Sequence, residues 1–164
     1  MINFITLFDK NYLSRGLVLY GSLLEHCVDF HLFILAMDME TEKYFIDNMY
    51  ERIEIISLDF IEAYYSELVE IKKDRSRGEY CWTLTPFCIQ YAIRKYGLDS
   101  CTYIDADICF YSDPKIIIEE SKGSSVIITE HKYTPIYDQT YLSGKYCVQF
   151  MYFKNDGDGQ QVLE

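Results

Sequence analysis

The strongest constraint on the fold of this chain is an alternation of apolar runs with segments of helical periodicity. Apolar runs occupy residues 2–8, 30–37 and 53–58, and each has the length of a strand that is buried on both faces. Between them, apolar residues recur three and four positions apart, as in helices that pack one face on a sheet. The alternation predicts an α/β fold with a mostly parallel, Rossmann-like central sheet and helices on both faces.

The second half of the chain contains residues that start and stop helices. Residues 71–80 are polar, basic and glycine-containing, which predicts a mobile loop. Thr85 can then cap a helix, Pro86 suits the first helical position, and Gly97 ends the helix. The remaining predicted elements are helices over 13–27, 41–50 and 61–69, a strand within 101–111, a helix that starts at Asp113-Pro114, and strands over 125–129 and 146–153.

Length and charge limit the possible functions. The 164 residues suffice for one sizeable core, so residues 1–164 are predicted to form a single domain. A net charge of −11 argues against nucleic acid as a partner, because binding to its backbone depends on a basic patch. The N-terminus lacks the pattern of a signal peptide, and the longest apolar stretch, residues 16–24, is too short for a transmembrane segment.

The six cysteines are scattered without a CxxC pair, and most of them fall in apolar runs. Buried, reduced thiols are the preferred interpretation, and they predict a cytoplasmic protein. A disulfide framework or a zinc site is the alternative.

Two carboxylates, Asp105 and Asp107, interrupt an apolar run in the segment TYIDADICFYSDP at residues 102–114. Residues i and i+2 of a strand point to the same face, so the two acids should project together. Their charges repel, and a cation between them would make the arrangement favourable. Mg²⁺ and Mn²⁺ take oxygen ligands, often one or two carboxylates together with phosphates of the substrate.

Three interpretations of this pair remain open on spacing alone. Both acids could be solvated at the end of a strand and have no function. They could hold a metal that neutralises the diphosphate leaving group in sugar transfer from a nucleotide. Phosphoryl transfer through an aspartyl nucleophile is weaker, because the Asp pair of such enzymes generally lies on the first strand, whereas here it follows three strands.

The order of these segments resembles nucleotide-sugar glycosyltransferases of the GT-A fold, close to the glycogenin and galactosyltransferase-like, family 8-type group. The resemblance is carried by INFITLFDKNYLSRGLVLYGSLL, TLTPFCIQYAIRKYG, CTYIDADICFYSDP, SVIITEH and GKYCVQFMYFKND, which together cover most of the chain. Its most specific element is the aspartate–any–aspartate motif at Asp105, Ala106 and Asp107. The resemblance implies a GT-A donor-binding domain and transfer of a sugar from a nucleotide diphosphate, UDP-sugar being favoured.

The resemblance also assigns roles to individual residues. It implies that Asp105 and Asp107 bind Mn²⁺ or Mg²⁺ and contact the donor's diphosphate and ribose. Phe8 and Asp9 match the segment that lies against the nucleotide base, although Asp9 could equally cap a helix. His131 matches a position near the donor sugar, and its alternative is a surface or core residue without a ligand.

Further expectations follow for the basic loop and for the last strand. Arg75 and Arg77 could reach a phosphate, or could simply be solvated. Related sequences tend to have Asn and Gly in the strand that here reads GKYCVQF, so Cys147 and Gln149 depart from the family's sugar contacts. Family members continue beyond this point and supply a third metal ligand, commonly His. The chain is therefore expected to lack the acceptor and metal-ligand segment, and to cover the open surface as a homodimer.

Two functions from different classes fit these features of the sequence. The first is the donor-binding part of a metal-dependent glycosyltransferase, whose partners are a nucleotide-sugar and an acceptor. The second is a catalytically silent GT-A module that uses its aromatic surface for protein association. Binding of a nucleoside diphosphate that depends on a divalent metal would distinguish the two.

Overall fold

A single sheet organises the chain in the computed structural model, which describes residues 1–121 and 123–164. Within these residues the strands are β1 (Ile2–Phe8), β2 (Phe30–Ala36), β3 (Ile53–Ser57), β4 (Ser100–Ile104), β5 (Val126–Glu130) and β6 (Tyr146–Lys154). Their order in the sheet is β3-β2-β1-β4-β6-β5. Strands β1 to β4 are parallel, and β6 runs antiparallel to both β4 and β5. The predicted mostly parallel α/β sheet is confirmed.

Helices connect the strands and cover both faces of the sheet. They are α1 (Leu13–His26), α2 (Met39–Asn48), α3 (Leu58–Tyr64), α4 (Glu67–Lys73), α5 (Arg77–Tyr96), α6 (Lys115–Glu120), α7 (Thr140–Ser143) and α8 (Gly157–Leu163), with a 3-10 helix at Pro135–Tyr137. No helix at residues 1–121 or 123–164 combines the length and the apolar composition that a membrane span requires.

Strand β1 shows how period-two side chains build two separate cores. Phe4 and Phe8 project to one face, where they pack with residues of α1 and α2. Ile5 and Leu7 project to the other face, where they pack with residues of α3, α4, α5 and α8. All four side chains are buried, as expected for a strand in the middle of a parallel sheet.

The loop predicted over residues 71–80 is wrong, because α5 begins at Arg77 and α4 extends to Lys73. Ser76 caps α5: its hydroxyl accepts from the backbone N–H of Glu79 at 3.4 Å, and the Glu79 carboxylate accepts from the Ser76 N–H at 2.8 Å. This reciprocal pair satisfies backbone donors that an uncapped helix end leaves free. A capping box therefore starts the helix well before the Thr85-Pro86 signal, and Pro86 lies inside it.

Two other predicted elements differ in extent from the structure. The helix predicted over residues 61–69 is divided into α3 and α4, with Tyr65 and Ser66 between them. Strand β4 ends at Ile104, so Asp105 and Asp107 follow the strand instead of lying on it. The apolar residues beyond them do not continue the strand, because the chain turns: the N–H of Ile108 donates to the carbonyl of Asp105 at 3.4 Å.

Two glycines of α1 give a matched test of the packing between α1 and β1. A Cβ atom at Gly16 would lie 2.5 Å from the buried Phe8 ring, whereas one at Gly21 would meet nothing within 4 Å. We expect Gly16→Ala to destabilise the fold by about 1–3 kcal/mol, because a rigid ring must move. Gly21→Ala should stabilise it by roughly 0.5–1 kcal/mol. Urea unfolding of both variants measures the difference, and equal effects would contradict this packing.

Candidate active site

The candidate site lies where β1 and β4 end side by side. Strand β1 pairs with β2 on one edge and with β4 on the other, so the direction in which successive strands are added reverses between β1 and β4. Ligands of open α/β sheets bind at such a switch point, outside the carboxyl ends of the strands. Asp9 directly follows β1, and Asp105 directly follows β4.

A cavity of about 460 Å³ opens at this position. Its lining includes Phe8, Asp9, Asp105 and Asp107, so four of the five predicted site residues share one cavity. The other lining residues are Leu7, Tyr12, Arg77, Gly78, Cys81, Trp82, Thr85, Tyr103, Ala106 and Val148. The cavity is thus walled by the ends of two parallel strands, the first turns of α5, and one residue of β6.

The two acids of the motif occupy different environments within this cavity. Asp105 is half-buried and Asp107 is exposed. Burial raises the pKa of the Asp105 carboxyl above its ordinary value, and the nearby charge of Asp107 raises it further. A hydrogen bond to Asp105 lowers its pKa, but by less than burial and Asp107 together raise it. An added positive charge would therefore relieve an unfavourable charge state at Asp105.

Tyr103 supplies that hydrogen bond. Its hydroxyl donates to Oδ1 of Asp105 at 3.1 Å, and its ring is almost fully buried. Burial raises the pKa of Tyr103 well above its ordinary value, so the hydroxyl keeps its proton. On the backbone, the N–H of Asp105 donates to the carbonyl of Gln149 at 3.1 Å. The position of Asp105 is therefore fixed through both its side chain and its main chain.

Arg77 brings a positive charge to the cavity from the first position of α5. Its guanidinium forms an ion pair with Asp9 and lies 3.8 Å from the carboxylate of Asp38. Burial alone would raise the pKa of Asp38, but backbone N–H groups of Thr41 and Lys10 donate to this carboxylate and lower its pKa below the ordinary value. Arg77 is thus held between two carboxylates on the wall of the cavity.

Asp9 does not cap α1, because Tyr12 occupies the N-cap position. Its carboxylate instead accepts from the N–H of Asn11 at 2.8 Å and pairs with Arg77. Phe8 is buried against α1, with its ring over Gly16. Contact of Phe8 and Asp9 with a nucleotide base stays a prediction.

His131 does not line the cavity with the other candidate residues. It follows β5, where its ring stacks on Tyr133 at a centroid distance of 4.6 Å and its backbone N–H donates to the backbone carbonyl of Lys145. Its predicted role near the donor sugar stays untested. Gln149 and Cys147 are the residues of the last strand that depart from the family pattern. The backbone carbonyl of Gln149 accepts from the N–H of Asp105, and Cys147 is half-buried.

Four lining residues of α5, Gly78, Cys81, Trp82 and Thr85, were not predicted from the sequence as site residues. Arg77, which the sequence offered as a possible phosphate contact or as a solvated side chain, lines the cavity with them. Their spacing of three and four residues marks one face of a helix, and this periodicity would have revealed them had residues 71–80 not been interpreted as a loop. The capping box at Ser76 and Glu79 was the missing signal.

Two carboxylates fit a hard divalent cation only if other ligands complete its shell. In the described ranges, 1–121 and 123–164, no three or more His, Cys, Asp or Glu side chains come together as a metal site. Mg²⁺ commonly uses one or two carboxylates and obtains its remaining oxygens from phosphates and water. Asp105 and Asp107 are such a pair of carboxylates, since both line the cavity.

Comparison with curated proteins finds relatives in Bacillus subtilis (strain 168), while no family model matches the chain. The chain is 30% identical over 143 residues to the uncharacterized protein YfnD, a match covering 84% of this chain and 45% of YfnD. It is 28% identical over 169 residues to the uncharacterized protein YfnF, covering 98% of this chain and 55% of YfnF. The chain thus spans about half the length of these relatives.

Comparison with solved structures identifies the fold. Mouse xyloside xylosyltransferase 1 superposes with a TM-score of 0.62 at 14% identity, covering 99% of this chain and 72% of that one. The chain has the GT-A fold. The glycosyltransferase GlyE of Streptococcus pneumoniae TIGR4 gives a TM-score of 0.57 at 13% identity, covering 99% of this chain and 36% of GlyE. The galactosyltransferase LgtC gives 0.54 at 11% identity, covering 93% and 58%.

The GT-A fold predicted from the order of strands and from the Asp105-Ala106-Asp107 motif is therefore confirmed. The identities to the solved structures are all low, so these likenesses bear on architecture. The chemistry has to be argued from the side chains of the cavity.

The electrostatic state of Asp105 yields a stability prediction. Its folded-state pKa is raised, so its carboxyl favours folding below the ordinary value of 3.8 and loses that contribution as pH rises through the folded pKa. In the presence of a chelator, Asp105→Asn should therefore be more stable than the parent at pH 7. The gain should shrink as pH falls through the folded pKa and vanish below about 3.8. Urea unfolding across pH measures it.

The matched control for this prediction is Asp99→Asn, since Asp99 is exposed and lies just before the opposite end of β4. It removes the same charge, and we expect an effect within about 0.5 kcal/mol. Loss of stability in Asp105→Asn at pH 7 would show that the carboxylate is needed for the fold itself.

Proposed function

We propose that this chain is the donor-binding domain of a metal-dependent glycosyltransferase of the family 8 type, which takes a nucleotide-sugar donor such as a UDP-sugar. The convergence of Asp105, Asp107 and Arg77 on one cavity at the switch point of the sheet carries this proposal. The GT-A fold supports it, since its structural neighbours include a xylosyltransferase and a galactosyltransferase. The activity of a longer protein that contains this domain is part of the proposal.

The carboxylates of Asp105 and Asp107 would hold Mn²⁺ or Mg²⁺ against the donor's diphosphate. The metal, when bound, supplies charge that stabilises the departing nucleoside diphosphate. Binding also removes the disadvantage of an ionised Asp105 beside Asp107, because a cation favours the charged form of both. Tyr103 keeps one oxygen of Asp105 engaged, which limits the orientations that the carboxylate can adopt.

Among the described residues, Arg77 is the basic side chain that lines the cavity. With a net charge of −11, the protein as a whole repels a nucleoside diphosphate, so a local cation is needed to receive it. The guanidinium is anchored by Asp9 and Asp38 and is still more than half exposed. An anchored guanidinium with free N–H groups can donate to a phosphate without a large loss of side-chain freedom.

A second candidate function is favoured by exposed apolar side chains between β5 and β6. Ile136, Tyr137, Tyr141 and Leu142 are each at least 72% exposed, more than a closed surface usually shows for neighbouring apolar residues. A catalytically silent module that associates through this surface, including as a homodimer, would use these residues and leave the cavity idle. Binding of nucleoside diphosphate separates the two functions.

The first test is calorimetric titration with UDP, with and without Mn²⁺. We expect binding only with the metal, and we expect Asp107→Asn to weaken it at least tenfold, because the exposed carboxylate would be a direct ligand. The fold should tolerate this change, since Asp107 contributes an unfavourable charge beside Asp105.

The control is again Asp99→Asn, which lowers the negative charge equally at the far end of β4. If Asp107→Asn binds UDP as well as the parent does, or if Mn²⁺ makes no difference, the carboxylates have no role in donor binding.

A second prediction separates Arg77 from the general basicity of its segment. Arg77→Gln should weaken UDP binding roughly tenfold, the effect of losing one charge-assisted hydrogen bond. Arg75→Gln removes the same charge two residues earlier, outside the cavity lining, and should change affinity less than twofold. Equal losses in the two variants would indicate long-range attraction, which added salt would also abolish.

A further inference from the structure

A buried tyrosine holds one of the two carboxylate oxygens of Asp105. Tyr103 belongs to β4, where it pairs with Ile5 of β1 on one side and with Met151 of β6 on the other. Its side chain is 4% exposed, and its hydroxyl donates to Oδ1 of Asp105 at 3.1 Å. Because strands hold the tyrosine on both sides, its hydroxyl has little freedom to follow Asp105 if the carboxylate turns.

The direction of this hydrogen bond is fixed by chemistry. An ionised carboxylate can only accept, so the tyrosine has to donate. Burial raises the pKa of Tyr103 well above its ordinary value, and the charge of Asp105 raises it further. The phenol therefore keeps its proton at neutral pH and remains a donor.

The two oxygens of Asp105 are unlike as a result. In the part of the chain that the structure describes, the bond from Tyr103 is the one hydrogen bond that this carboxylate accepts. Oδ1 is therefore engaged, and Oδ2 is the oxygen available to a cation. The backbone N–H of Asp105 is also bound, to the carbonyl of Gln149, which keeps the residue from shifting. Bidentate binding takes both oxygens to one ion, so it would compete with Tyr103 for Oδ1.

Divalent cations differ in how they use a carboxylate. Ca²⁺ accepts six to eight oxygens in flexible arrangements and often takes both oxygens of one carboxylate, whereas Mg²⁺ demands a nearly regular octahedron. Mn²⁺ is also typical of octahedral oxygen sites. The two oxygens of one carboxylate lie too close together to fill neighbouring corners of a regular octahedron. A carboxylate restricted to one oxygen thus suits Mg²⁺ and Mn²⁺ and costs Ca²⁺ a ligand.

We propose that Tyr103 determines the metal specificity of the site: by engaging Oδ1 of Asp105, it restricts this carboxylate to one oxygen and selects Mg²⁺ and Mn²⁺ against Ca²⁺. This inference rests on the proposed function, because it takes Asp105 and Asp107 as the protein's ligands. Tyr103 is a positioning residue, since it acts through Asp105. Partners of this kind orient metal ligands and tune the affinity of many metal sites.

A purely structural role for the Tyr103 hydroxyl is the alternative, because a buried hydroxyl needs a partner in any fold. Tyr65 is such a case: it is 8% exposed, and its hydroxyl donates to Oε1 of Gln90 at 2.9 Å. Neither Tyr65 nor Gln90 lines the cavity. Tyr65→Phe is therefore a matched control, which removes a buried hydrogen bond and leaves the cavity carboxylates as they are.

The test is calorimetric titration with UDP in Mn²⁺ and in Ca²⁺, each metal in excess over UDP. In the parent, UDP should bind more weakly with Ca²⁺ than with Mn²⁺. Tyr103→Phe keeps the ring and frees Oδ1, so Ca²⁺ can take both oxygens of Asp105. The ratio of the Kd in Ca²⁺ to the Kd in Mn²⁺ should then fall roughly tenfold, the lower end of such effects on metal affinity. Tyr65→Phe should leave this ratio unchanged.

Thermal unfolding without metal verifies that both variants are folded. A Tyr103→Phe variant that is less stable but keeps the parent's ratio overturns the proposal and leaves Tyr103 a structural residue. Equal UDP affinities with Ca²⁺ and Mn²⁺ in the parent also overturn it, and this measurement needs no variant. Absence of metal-dependent UDP binding in the parent refutes the donor site itself. Binding with Mn²⁺ and an unchanged ratio in Tyr103→Phe refutes the role of Tyr103 alone.

Discussion

The parallel pairing of β1 with β4 is the contact on which the rest of the site depends. Helix-connected strands are added on one side of β1 through β2 and β3, and the chain then crosses to its other side at β4. This crossing leaves adjacent carboxyl ends without a helix between them, and Asp9 and Asp105 emerge there together. Asp9 and Asp105 are far apart in the sequence. The backbone pairing of β1 with β4 brings them to one cavity without any contribution from their side chains.

Within that cavity, negative charge is arranged in two unlike ways. Asp9 and Asp38 are compensated by Arg77 and by backbone N–H groups. Asp105 is compensated by a single hydroxyl, and its burial and the charge of Asp107 leave it in an unfavourable state. Asp9 and Asp38 position the guanidinium of Arg77. For Asp105, a bound cation would offset the repulsion from Asp107. A cation and an anionic ligand can therefore enter one cavity of a strongly acidic protein.

The sequence was sufficient to predict a mostly parallel α/β sheet and to single out Asp105 and Asp107, because apolar periodicity and the motif are local features of the chain. It failed at residues 71–80, where Gly78 and several charges suggested a loop while Ser76 and Glu79 formed a capping box. That error concealed the face of α5 that lines the cavity. Asp105 and Asp107 line one cavity, as their period-two spacing predicts, although both follow the end of β4 and a turn, not the strand, brings them there. The position of His131 relative to the cavity depends on where β5 lies in the sheet, and no local sequence pattern specifies that.

Helix α5 links the electrostatic and the apolar parts of this surface. Its first turn presents Arg77 to the cavity, and Trp82 and Thr85, one and two turns later, line the same cavity. Neighbouring residues of the same helix, such as Leu84 and Ile89, are buried in the core and hold the helix in place. Because one helix carries the guanidinium, the indole and the hydroxyl, their spacing along the cavity is set by a rise of about 1.5 Å per residue. A ligand that contacts Arg77 therefore meets Trp82 and Thr85 at a set distance along the same wall.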